Sequence, residues 1–210
     1  MKKILRISNL ILIILVLFML SSCKKKNETE EKIEMEKNIY AQICLTTGEK
    51  INLELFYDVA PTSVENFVKL AESGFYKNVV FHRIIEDFMI QTGGYTLIDD
   101  ELGLVKETPT IKGEFSSNGW NNELKHELGV ISMARTSEPN SASSQFFICS
   151  ANCSWLDGEY AAFGKTTDEA SNEVVLRISR IPTYQVHYTL QNFPTDPIII
   201  ENIYVSNEKF

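Results

Sequence analysis

The chain has 210 residues, 44% hydrophobic and 23% charged, the proportions of an ordinary globular protein with room for one substantial core. Its 20 basic side chains face 28 acidic ones, for a formal charge of −8. An acidic body of this kind excludes nucleic acid as a natural partner.

The first residues, MKKILRIS, are basic, and Leu10 to Leu20 form an unbroken apolar run that ends in Ser21, Ser22 and Cys23. This is the pattern of a signal peptide over residues 1–22. A helix needs about 20 apolar residues to span a bilayer, so the run is too short to serve as a comfortable permanent anchor. Leu20-Ser21-Ser22-Cys23 resembles the lipobox of bacterial lipoproteins, in which the cysteine is acylated and becomes the mature N-terminus. The resemblance implies lipidation of Cys23 and a place in the bacterial cell envelope, exported and membrane-anchored. The plainer alternative is a secreted protein with a chance cysteine. Loss of Lys2, Lys3 and Arg6 with the signal segment would leave 17 basic against 28 acidic side chains, a formal charge of −11.

Residues 23–37 then read as a charged tether. From Lys24 to Lys37 only Ile33 and Met35 are apolar, too few to bury a core. Lys24 to Lys26 offer charge that could touch anionic head groups, but a plain solvated linker is the preferred reading of the stretch.

The folded unit is expected over residues 38–207. Ile39 to Leu45 and Ile51 to Phe56 read as strands around a Thr47-Gly48 turn, and Ile51, Leu53 and Leu55 alternate with polar residues. Pro61 opens a helix with Val64, Phe67, Val68 and Ala71 on one face, and Gly74 stops it. A second helix is expected from about Ser171 to Arg180. Short β-rich runs occupy Val79 to Ile85, Phe88 to Thr92, Gly129 to Ala134, Gln145 to Cys149, Ala161 to Lys165 and Ile198 to Val205. Many short strands with only two helices point to a mainly β barrel or sandwich. Tyr95 to Asn122 lacks periodicity and reads as a long surface excursion.

Three blocks stand out: FHRIIEDFMIQTGG at Phe81 to Gly94, MARTSEPNSASSQFFICS at Met133 to Ser150, and WLDGEYAAFGK at Trp155 to Lys165. Together, in this order and spacing, they resemble the cyclophilin signature, from about Ile39 to Ile203. The resemblance implies a closed eight-stranded antiparallel β-barrel capped by two α-helices, with an active groove on its outer face. It also implies a peptidyl-prolyl cis-trans isomerase that needs neither cofactor nor metal.

Carried over by position, the resemblance makes Arg83, Phe88 and Gln91 the catalytic set. Phe88, Met89, Phe147 and Leu156 would form the apolar pocket for proline, with Gln91 and Gln145 beside it. Ala134, Arg135 and Thr136 would lie along the peptide backbone, with Arg135 acting largely through its own main chain. Trp155 and Tyr160 would form the far rim. The implied partners are proline-containing polypeptides and, through the Trp155 indole, cyclosporin-like cyclic peptides. Tyr160 and Arg135 depart from the histidine and asparagine of the best-known eukaryotic members.

These residue types suit the reaction. Rotation about an X–Pro bond passes through a twisted state in which amide conjugation is lost and a lone pair localises on nitrogen. A guanidinium aimed at that nitrogen acts chiefly in the twisted state, as catalysis requires.

Duller readings stand beside these. Phe81, Phe88, Phe146 and Phe147 are residue types that usually fill cores, although alternation across Phe146 and Phe147 should turn one toward the groove. Arg83 read alone is a surface residue of a strand. Ser141, Ser143 and Ser144 lack the G-x-S-x-G elbow of a hydrolase and a natural acid–histidine pair, so they read as a turn. His82, His126 and His187 show no metal-ligand spacing, and no metal is expected. Cys44, Cys149 and Cys153 read as buried thiols. The rival function is a non-catalytic proline-peptide-binding chaperone or surface module on the same fold, and a structural envelope lipoprotein is a third.

Overall fold

The computed structural model describes residues 33–35 and 38–210. The signal segment, Cys23 and the tether up to residue 32 therefore lie outside the described residues.

Eight antiparallel strands make the main sheet: β1 (Ile39–Leu45), β2 (Lys50–Leu55), β3 (Arg83–Ile85), β4 (Met89–Thr92), β7 (Val130–Met133), β8 (Phe146–Cys149), β9 (Ala162–Thr166) and β12 (Ile200–Ser206). Their order across the sheet is β12-β1-β2-β9-β7-β8-β4-β3. The alternation read in β2 holds: Ile51, Leu53 and Leu55 are buried and face Ile43, Ala41 and Ile39 of β1 across the ladder. Inward residues of every strand join one core on the concave side of the sheet. Ile33 and Met35, the two apolar residues of the charged stretch, pack against that core.

Helix α1 (Pro61–Glu72) buries Val64, Phe67, Val68 and Ala71, as its 3.6-residue spacing requires. The Phe67 ring stands 5.3 Å from Phe146 and 5.6 Å from both Tyr76 and Phe163. Helix α2 (Glu169–Ser179) begins two residues earlier than its apolar spacing suggests, because the Asp168 carboxylate caps it by accepting the Ser171 amide. It buries Val175 and Ile178 and packs against β2.

The closed barrel expected from the resemblance is corrected to an open, curled half-barrel. End strands β3 and β12 share no ladder. Just ahead of both, Val80 bridges Ile199, with the Phe81 amide donating to Ile198 at 2.9 Å and the Ile200 amide to Val79 at 2.8 Å. Further along β3, the Ile84 amide donates to the Asn192 carbonyl, so its outer edge is taken by the segment ahead of β12 and not by β12 itself. The run from Val79 to Ile85 consequently contributes only three residues of strand.

The stretch from Tyr95 to Asn122 is more ordered than its sequence suggests. It opens with a hairpin of β5 (Tyr95–Ile98) and β6 (Glu101–Leu104). It then returns to the interior at Glu114 and Phe115, both buried. Ala60 cannot cap α1 with its side chain, and Glu114 does so from a distance. Its carboxylate accepts the Thr62 and Ser63 amides, each at 2.8 Å, and the Ser63 hydroxyl at 2.7 Å. A small sheet of β10 (Thr183–Tyr184) and β11 (Phe193–Pro194) completes the described fold.

Candidate active site

The site is a consequence of strand alternation. Arg83 pairs with Gln91 and Ile85 with Met89 across β3 and β4, while Ile84 and Ile90 point into the core. In β8 the same alternation sends Phe146 inward against Phe67 and Tyr76 and turns Phe147 outward. Gln91 lies opposite Phe147, and Phe147 opposite Ser132 of β7, so one row of outward residues crosses three strands. Gly93 allows the end of β4 to press on the next chain segment. Its φ is +87°, and a Cβ there would stand 2.3 Å from the Ser144 carbonyl oxygen.

On this convex face a pocket with about 400 Å³ of empty space is open to solvent. Phe88, Met89, Phe147 and Leu156 form its apolar walls, with Arg83 and Gln91 on one side and Ala134, Arg135 and Tyr160 on the other. Nine of the twelve positions named from the resemblance thus line one cavity. Two of the remaining three adjoin it. Gln145 accepts a 2.9 Å hydrogen bond from Gln91 Nε2, and exposed Trp155 stands 5.6 Å from the Phe88 ring. Thr136 faces away, its hydroxyl and amide both donating to Ser141 Oγ at 2.8 and 2.9 Å. Ser141 in turn donates to the Glu138 carbonyl, so this serine belongs to a turn.

Arg83 is half-buried over the pocket. Its Nη1 donates to Gln91 Oε1 at 3.2 Å and approaches Met89 Sδ at 3.9 Å, and its guanidinium carbon lies 5.9 Å from the Phe88 ring centre. Burial pulls its pKa below the ordinary arginine value, the direction that desolvation of a cation demands. Both hydrogen bonds leave from Nη1, so Nε and Nη2 are the donors left for a bound peptide.

Arg135 does more than its expected main-chain role. Its guanidinium lies 4.6 Å from the Tyr160 ring centre and 4.9 Å from that of Phe115, a cation between two aromatic faces. Its Nε and Nη2 donate to the Glu159 carbonyl at 3.0 and 2.9 Å. Phe115 was not legible as part of the site, because it belongs to the aperiodic stretch.

The structure also corrects the expectation of no acid–histidine pair. His126 Nδ1 lies 3.1 Å from Asp157 Oδ1, and His126 Nε2 lies 3.1 Å from Ser132 Oγ. Ser132 is fully buried beneath the pocket wall, which rules it out as an exposed nucleophile. Burial lowers the pKa of His126. For Asp157, burial acts upward but the hydrogen bonds from His126 act downward, leaving it below the usual carboxylate range. No short-range signal links residues 126, 132 and 157, so sequence reasoning could not have assembled them. His82, beside Arg83 in sequence, is buried against Tyr95, and its pKa is lowered to about 4.

Fold and site together define a peptide-binding groove on the convex face of a curled antiparallel sheet, with an apolar socket and the Arg83 cation at its rim. A family model, cyclophilin type peptidyl-prolyl cis-trans isomerase/CLD, matches residues 40–205. The chain belongs to this family, and its activity is that of a peptidyl-prolyl cis-trans isomerase.

Peptidyl-prolyl cis-trans isomerase A of Dickeya dadantii is 41% identical over 165 residues, covering 76% of this chain and 81% of that protein. A peptidyl-prolyl cis-trans isomerase of Acinetobacter baylyi is 39% identical over 167 residues, covering 75% and 80%. Among solved structures, a cyclophilin type isomerase of Cryptosporidium parvum superposes with a TM-score of 0.63 at 29% identity, covering 80% of this chain and 98% of that one. A second structure of that protein, in the presence of the dipeptide Ala-Pro, gives 0.62 at 30% identity.

Proposed function

We propose that this isomerase acts on exported proteins from a membrane surface, with Arg83 as the residue that stabilises the twisted X–Pro bond. The observation that carries the catalytic assignment is the Arg83 guanidinium, held by Gln91 at the lip of a pocket walled by Phe88, Met89, Phe147 and Leu156. Phe88, Met89, Phe147 and Leu156 grip the ring while the preceding carbonyl swings, which converts binding into orientation.

The planar amide owes a barrier of about 18–20 kcal/mol to resonance. Going from uncatalysed relaxation in tens of seconds to a kcat near ~10³ s⁻¹ is about five decades, or ~7 kcal/mol. One charged hydrogen bond to the prolyl nitrogen, made in a partly desolvated site, supplies about 3 kcal/mol of this, and positioning supplies the rest. Arginine suits the task because its planar fork stays protonated and can bond nitrogen and a neighbouring carbonyl together.

The envelope location rests on the basic start, the short apolar run and the Leu20-Ser21-Ser22-Cys23 motif. A proline-peptide isomerisation assay on the purified full-length chain, together with fractionation of cells producing it, tests both halves. Turnover from a soluble cytoplasmic pool would sink the exported role and keep the activity. Exposed Trp155, at the rim beside Phe88, supports binding of cyclosporin-like cyclic peptides. A saturable change in tryptophan fluorescence that disappears in Trp155→Phe is the expected result. Lack of saturation at micromolar ligand, or a change that survives the substitution, counts against this rim.

A further inference from the structure

His126 is almost fully buried behind the pocket wall and touches no surface that a substrate could reach. Its ring lies nearly parallel to that of Phe147, with 18° between planes and 6.1 Å between centres. Phe147 forms the wall of the socket, and its opposite partner across β7 and β8 is Ser132, the residue bonded to His126 Nε2. On the other side, Asp157 receives both His126 Nδ1 and the His126 amide, the latter at 2.9 Å. Asp157 directly follows Leu156, which lines the same socket. The His126 carbonyl accepts the Cys153 amide at 2.7 Å, tying down the start of the turn that carries Leu156.

From these contacts we infer that His126 is a positioning residue of the isomerase, a clamp that holds Phe147 and the Leu156 turn at the spacing a proline ring requires. The inference rests on the isomerase reading of this pocket. Its chemistry follows from donor and acceptor roles. An ionised carboxylate only accepts, so the proton sits on Nδ1, and the bare Nε2 accepts from the Ser132 hydroxyl. Both in-plane nitrogens are thereby held, which fixes the plane of the ring, and the plane fixes Phe147 by stacking. Two walls on different segments, residues 147 and 156, are then set by one residue, the first through its ring and the second through its ring and its main chain. A socket for a small rigid ring is sensitive to such spacing, since displacement of about 1 Å costs up to ~10²-fold in rate.

The test compares His126→Ala, His126→Phe, His126→Gln and Ser132→Ala in the full-length chain. The readouts are kcat/KM on a proline-containing peptide and the ring resonances of ¹³C-labelled Phe147. Alanine should lower kcat/KM about tenfold and shift the Phe147 resonances. Neither phenylalanine, which restores the flat ring without the bonds, nor glutamine, which restores a donor and an acceptor without the ring, should bring kcat/KM back to within about threefold of wild type. The clamp is overturned if alanine stays within about twofold of wild type, or if phenylalanine or glutamine alone restores the wild-type rate. Should His126→Ala fail to fold, Ser132→Ala decides, because it removes one bond and leaves the ring. Unmoved Phe147 resonances there would sink the idea, and shifted resonances with lower kcat/KM would support it. A wild-type chain without turnover would overturn the isomerase reading instead, leaving the Phe147 resonances to judge the clamp.

Discussion

Arg83 and Gln91 are register partners across the β3–β4 ladder, and their side chains meet again on the outer face, where Nη1 donates to Oε1 at 3.2 Å. Gln91 is itself oriented by donating its Nε2 to Gln145 Oε1 at 2.9 Å. A long flexible cation is thus held by a chain of amides anchored on two strands and the residue preceding β8. Preorganisation of this kind lets one donor act without reorganising at the moment of reaction.

Arg83→Ala removes the donor but leaves the apolar socket intact. Turnover should fall by ~10²-fold or more, with kcat and kcat/KM falling together and peptide Kd little changed. Arg83→Lys should rescue poorly, because a point charge cannot reproduce the planar fork. Gln91→Ala, which only frees the arginine, should cost less than Arg83→Ala. The measurement is kcat/KM beside Kd for one peptide, with circular dichroism confirming the fold. If both Arg83 variants isomerise at the wild-type rate, the mechanism is wrong. If wild type binds without turnover, the proline-binding module prevails.

Glu114→Ala strips α1 of its distant cap, leaving the Thr62 and Ser63 amides and the Ser63 hydroxyl without their acceptor. The expected loss is about 2–3 kcal/mol, or roughly 5–10 °C in thermal midpoint for a domain of this size. Glu114 is buried away from the pocket, so kcat/KM of the folded protein should stay near wild type. A midpoint within about 1 °C of wild type would show that water replaces the cap.

Buried histidines set the acid limb of stability. Burial lowers the His82 pKa from the ordinary 6.5 to about 4, so the unfolded chain takes up a proton first as pH falls. The unfolded state then binds more protons, and stability drops with decreasing pH between about 6.5 and 4. The contribution is present in full above that window, and its loss amounts to about 3 kcal/mol from His82 alone. His126, shifted in the same direction, adds to the slope. Asp157 and Asp168, held below the ordinary carboxylate value, contribute only at lower pH. Urea melts from pH 7 to pH 4 should show this loss, and His82→Gln should flatten the curve. An unchanged slope in the variant would remove His82 as its cause.

Cys23→Ser should abolish fatty-acid labelling, impair signal cleavage and release the protein from the membrane fraction. Wild-type protein that takes up no labelled fatty acid, or is cleaved elsewhere, would leave the envelope anchor without support.

Much of this molecule is local and therefore readable from residue order alone. Alternation in Ile51, Leu53 and Leu55, the helical spacing of Val64, Phe67, Val68 and Ala71, and the three motif blocks depend on neighbours a few residues apart. They determine most strands of the main sheet and the first helix, and the resemblance carried by the motif blocks names the residues of the socket. What required the tertiary structure joins positions far apart in the chain. Asn192 takes the edge of β3, Glu114 caps a helix some fifty residues earlier, and Asp157 reaches His126 and, through it, Ser132. The physical reason is that a buried donor or acceptor must find a partner wherever packing provides one, and no periodicity encodes which distant residue that will be.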